Sequence, residues 1–109
     1  MPVVRHAQLV LVRPEKRQEY LQLHAAVWPE VERRISESNI RNFSIFLLDE
    51  MLISYFEYIG DDFETDMALM GADPDSQRWW GLTGPCQQPI AGQPDGSLWA
   101  DAREVWHLE

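Results

Sequence analysis

Three features predict an α+β fold in the order β-α-β-β-α-β, a single antiparallel four-stranded sheet with helices on one face. Residues 3–13 are dense in β-branched and aliphatic side chains and stop at Pro14, as a buried strand would. Two aromatic and aliphatic runs, 40–48 and 51–59, flank Asp49-Glu50 and read as a β-hairpin. Apolar residues at helical spacing fill the segments before and after that hairpin. With 109 residues there is room for one domain, 1–109, built on one core.

Pro14 suits a helix start, with Glu15 beside it in the first turn, where the helix dipole favours a carboxylate. The helix runs past Lys16 to Glu19 on its wet side. Pro29 would clash with the carbonyl four residues earlier, so one unbroken helix through it is not expected. A first helix ending near Ala26 or Val27 and a second running from Pro29 to about Ser38 resolve that clash. Asp49 and Glu50 both dislike positive φ, which predicts a turn slightly longer than two residues. Gly60-Asp61-Asp62 then caps a helix through Phe63, Met67, Leu69 and Met70 that stops near Gly71, and Asp73 is the cap of another from Pro74 to about Leu82. Residues 81–97 hold four of the six glycines and three of the seven prolines, the composition of a long irregular loop. Finally 102–108 alternates as a strand does.

The helix before Pro29 carries the first candidate site. Tyr20, His24 and Trp28 recur every four residues, on the side that also carries Leu23, Val27, Val31 and Ile35. A phenol, an imidazole and an indole therefore face the interior. An imidazole on such a stripe is more often a hydrogen-bonded core residue than a catalyst, but the last turn of a helix, with its free carbonyls, suits a proton donor. Trp79 and Trp80 form the second candidate. Adjacent helical residues diverge by about 100°, so one indole packs while the other reaches a pocket. A plain core and interface pair is the commoner role for such indoles.

Charge and composition exclude several classes. A net charge of −9 repels phosphate backbones and anionic lipid, so neither nucleic acid nor membrane is an expected partner. Cys86 is the sole cysteine, which excludes an intramolecular disulfide and fits a reducing compartment. Residues 1–13 show no signal-peptide pattern, so a cytoplasmic location is expected. His6, His24 and His107 lie on different elements without ligand spacing, so no metal is expected. Glycine-rich phosphate loops and a Ser-nucleophile elbow are also missing. A domain this small exposes much apolar surface, and the second sheet face needs a cover that a second copy would provide as a two-fold dimer.

The run Tyr20-x-x-x-His24-x-x-x-Trp28-Pro29-Glu30, followed by Asn42 to Phe46, Glu57 and Gln77-Arg78-Trp79-Trp80, resembles the L-rhamnose mutarotase family over nearly the whole chain. The resemblance implies a ferredoxin-like dimeric α/β barrel that interconverts the α and β anomers of a deoxy sugar without a cofactor. It implies His24 as proton donor and Tyr20, Trp79 and Trp80 as sugar contacts. Position 43, where the family places a substrate-site tyrosine, is Phe43. One hydroxyl contact is thereby lost, which leaves L-rhamnose, L-fucose or another 6-deoxy hexose open as substrate. Glu57, a carboxylate on a hydrophobic strand, is the candidate base, with water as the alternative. Two rival functions share this outline: a cofactor-free monooxygenase on the same dimeric barrel, and a non-catalytic carbohydrate-binding module.

Overall fold

The computed structural model describes residues 2–94 and 96–109. The first strand, β1 (Val4–Val12), lies at the centre of the sheet. A 3-10 turn at Pro14–Lys16 leads into α1 (Arg17–His24), and Pro29 opens α2 (Pro29–Glu37) in its first turn, so the chain breaks where the proline requires. α1 ends at His24, two to three residues earlier than the sequence predicts. The hairpin follows as β2 (Ile40–Leu48) and β3 (Met51–Tyr58). Then come α3 (Phe63–Gly71), capped by Asp62 through the Thr65 N–H, and α4 (Pro74–Thr83), capped by Asp73 through the Ser76 N–H. Two short strands, β4 (Gln87–Gln88) and β5 (Ala100–Ala102), both pair with β1. The strand order is β2-β3-β1-β4, with β5 on the same side of β1 as β4, which is the predicted ferredoxin-like arrangement.

Three local expectations are corrected. The hairpin turn is tight: Leu48 pairs with Met51, and Asp49 takes φ 52. Aspartate tolerates that region better than most residues, and the turn is fastened where Arg17 donates to the Asp49 carbonyl at 3.0 Å and the Val12 N–H donates to the Glu50 carbonyl at 2.8 Å. The irregular loop begins only at Pro89, because α4 continues through Gly81 and a 3-10 turn at Gly84–Cys86 delivers β4. The last strand is Ala100–Ala102 and not 102–108. Beyond it the alternation persists but nothing buries it: Trp106 is 76% exposed, and one exposed ion pair, Arg5 with Glu104 at 2.6 Å, ties the segment to β1.

The sheet has two unlike faces. On β3, Leu52, Ser54, Phe56 and Tyr58 are buried beneath the helices, while Met51, Ile53, Tyr55 and Glu57 alternate onto the other side and are half-buried. The core joins Val10, Val12, Tyr20, Leu52 and Cys86 at one end to Ile40, Phe56 and Met70 at the other. No helix among the described residues is long and apolar enough to cross a membrane.

Candidate active site

Between the helices and the buried sheet face lies a cavity of about 960 Å³. Tyr20, His24, Phe43, Trp79 and Trp80 all line it. Four-residue spacing brings Tyr20 and His24 together, ring on ring at 4.3 Å. Trp79 meets the imidazole edge-on at 5.4 Å and also meets the Trp28 indole at 5.2 Å, so the imidazole is walled by aromatic rings on two sides. His24 Nδ1 lies 2.9 Å from the Tyr20 carbonyl oxygen. A carbonyl only accepts, so Nδ1 carries the hydrogen there and Nε2 is left as the nitrogen that can exchange a proton.

The tandem indoles divide as their spacing requires. Trp79 is buried against His24 and Trp28, while Trp80 is 44% exposed and still borders the cavity. Phe43 sits where β2 bulges between Arg41 and Ser44, next to Asn42 at φ 52, and its ring lies 5.6 Å from Phe56 at the cavity's apolar end. Phe63, Met67 and Met70 continue that end. Polar groups on the wall include Tyr20 with His24 and Gln87 beside it, and Ser54 and Thr83. Burial raises the Tyr20 phenol above its ordinary range, partly offset by a hydrogen bond from Gln87, so the phenol stays neutral near pH 7.

Glu57, the base candidate from sequence, is not brought to His24. Strand alternation sends it to the opposite sheet face, where its carboxylate accepts from Asn42 Nδ2 at 2.8 Å and from the Tyr55 hydroxyl at 2.7 Å. Those two bonds hold its pKa below the usual carboxylate range. Sequence reasoning also missed Gln87, Ser54, Thr83 and Trp99 in the cavity wall. Trp28 lies on the predicted face, and its contact with Trp79 makes it a support for the site.

A family model described as L-rhamnose mutarotase matches residues 5–108. The L-rhamnose mutarotase of Opitutus terrae is 31% identical over 98% of this chain and 100% of its own length. That of Oceanobacillus iheyensis is 29% identical over 96% of this chain and 98% of its own. Among solved structures, an L-rhamnose mutarotase from Formosa agariphila superposes with a TM-score of 0.76 at 21% identity, covering 97% of this chain and 99% of that one. Tetracenomycin F2 cyclase from Streptomyces glaucescens, a type-II polyketide cyclase, superposes with a TM-score of 0.67 at 15% identity over the same shares. At such identities the structural likenesses establish the fold alone, and they do not favour the monooxygenase alternative. The family match and the 31% identity, each spanning nearly the whole chain, carry more than fold: the chain belongs to the L-rhamnose mutarotase family.

Proposed function

We propose that the protein is an aldose mutarotase that interconverts the α and β anomers of L-rhamnose or a close 6-deoxy sugar such as L-fucose, with His24 as the proton donor. The observation that carries the reading is the imidazole on the cavity wall with Nδ1 committed to the Tyr20 carbonyl, so that one nitrogen alone exchanges protons. Ring opening needs a proton delivered to the ring oxygen and one removed from the anomeric hydroxyl. With both ring nitrogens carrying hydrogen, His24 delivers the first from Nε2 and is left as the neutral ring with its hydrogen on Nδ1, and water in the open cavity takes the second. Rotation about the first carbon–carbon bond and closure on the other face reverse both transfers. A positioned general acid of this kind contributes about 10² to 10⁴-fold. Tyr20, neutral and beside His24, hydrogen-bonds a sugar oxygen.

Trp79 and Trp80 offer indole to the C–H faces of the sugar. The Phe43 and Phe56 end receives an apolar substituent, which suits the methyl group of a 6-deoxy hexose and supports that substrate class. Glu57 stands outside this scheme. We infer further that the protein works as a homodimer, because no helix among the described residues lies over the face carrying Ile53 and Leu48, and Leu48 is 66% exposed. Saturation-transfer NMR on L-rhamnose and L-fucose tests the activity: exchange between the anomeric signals rises on adding enzyme. Folded protein that speeds exchange in no aldose would end the proposal, and binding without exchange would favour the carbohydrate-binding alternative.

A further inference from the structure

Gln87 has no part in the scheme above, yet it is 6% exposed, borders the cavity, and places its side-chain Nε2 3.5 Å from the Tyr20 hydroxyl. Its aim is fixed by the strand it sits on. Gln87 pairs directly with Val12, which faces the helices, so its side chain leaves the sheet on the same side. The preceding Cys86 is fully buried, and its carbonyl accepts from the Arg13 N–H at 2.8 Å. The backbone that carries the carboxamide is thus held in place, and it presents the side chain toward Tyr20.

The direction of that hydrogen bond matters to the chemistry. A phenol has one hydrogen to give, and its oxygen can accept. The carboxamide nitrogen can only donate. With Gln87 giving a hydrogen to the phenol oxygen, the phenol's own hydrogen is left for another acceptor. Tyr20 is 3% exposed and borders the cavity, so a molecule bound in the cavity is within reach to accept it. We infer that Gln87 is a positioning residue: its carboxamide commits Tyr20 to act as a hydrogen-bond donor toward a sugar oxygen, beside His24. This rests on the mutarotase reading for its substrate, but the direction of the bond can be measured without any substrate.

Two variants separate the possibilities. Gln87→Glu keeps the length of the side chain but turns the donor into an acceptor, so Tyr20 gives its hydrogen to the carboxylate and is lost to the sugar. Anomer exchange near neutral pH falls about tenfold, the worth of one hydrogen bond. Lowering the pH protonates the new carboxyl, which can then donate to the phenol, so Q87E regains rate relative to the unmodified enzyme as the solution is acidified. In the double variant with Tyr20→Phe, the Gln87→Glu loss vanishes, because its target is gone. A rate loss that is independent of pH, or that adds in full to Y20F, overturns the inference.

The second variant, Gln87→Met, is read by alkaline titration of the Tyr20 ring-carbon NMR signal, assigned by difference from Y20F. A donated hydrogen bond stabilises the phenolate, so its removal raises the Tyr20 midpoint. A fall in that midpoint shows that Gln87 accepts from the phenol, and the inference fails. If the unmodified enzyme speeds no anomer exchange, the mutarotase reading falls, and this titration still decides the direction of the bond.

Discussion

The two faces of one sheet have opposite fates in this protein, although the sequence along β3 is apolar at nearly every position. Leu52, Ser54 and Phe56 look toward the helices and border a cavity in which His24 is packed between the Tyr20 and Trp79 rings. Ile53, Tyr55 and Glu57 look the other way, onto a side with apolar residues that no helix among the described residues covers. Which face a β3 residue looks onto is therefore set by its parity in the strand, and residue type comes second. A carboxylate one position from Phe56 faces away from the side of the sheet that His24 is on.

The sharpest test of that division lies on the helix side. His24→Ala removes the exchanging nitrogen but leaves the Tyr20 and Trp79 rings in place, so exchange at saturating sugar falls by about 10² to 10⁴-fold. The circular dichroism spectrum and the melting curve stay close to those of the unmodified enzyme, since His24 is only half-buried. A loss of tenfold or less would move the proton-transfer role to another residue of the cavity.

Much of the helix side is legible in the sequence because helical spacing is a strong signal. Tyr20 and His24 meet because residues four apart meet on any helix, and the tandem tryptophans must diverge. Gln87 is not legible, since it follows a 3-10 turn in a glycine- and proline-rich stretch that reads as loop. Only the pairing with Val12 on a distant strand aims it. Glu57 is misread for another reason: both sets of alternate residues on β3 are largely apolar, so the pattern cannot say which set the helices cover. The 102–108 segment teaches the converse, that alternation without a ladder and a covering layer makes no strand. The β-α-β-β-α-β order itself is plain because Pro14, Pro29, the Gly60-Asp61-Asp62 cluster and Asp73 punctuate the chain where elements begin.

On the open side, Leu48→Asp places a charge on an apolar, exposed position of β2. In an isolated protomer such a change costs little, within about 0.5 kcal/mol for a surface site. In a dimer joined through this face the charge is buried at each of two symmetric positions, so association weakens by several kcal/mol. Sedimentation velocity reads the result as a shift from dimer to monomer at micromolar protein. An unchanged sedimentation coefficient would remove this face from the dimer interface and leave the cavity argument untouched.

Phe43 borders the cavity beside Phe56, and its substitution has a smaller effect that reads specificity. Phe43→Tyr adds a hydroxyl at the apolar end of the cavity. If that hydroxyl meets a sugar oxygen, KM for the matching 6-deoxy hexose falls by up to about tenfold, the worth of one hydrogen bond, while exchange at saturation changes little. Comparing L-rhamnose with L-fucose shows which stereochemistry the added group reads. Equal changes for both sugars would place the ring away from the hydroxyls in which they differ.

The smallest effect belongs to Glu57→Gln, and it separates the two faces most cleanly. The Asn42 and Tyr55 hydrogen bonds depress the Glu57 pKa in the folded protein, so its contribution to stability is present above the ordinary carboxylate range and is lost as pH falls through the depressed folded value. Glutamine keeps an acceptor for either partner but does not titrate there. E57Q therefore melts with a weaker dependence on pH at the acid end, whereas exchange at neutral pH stays within about twofold of the unmodified enzyme, as expected for a group that no proton-transfer step reaches. A loss of rate comparable to that of H24A, with the melting curve unchanged, would mean that the carboxylate reaches the reacting sugar, and the assignment of catalysis to the helix-covered side alone would fail.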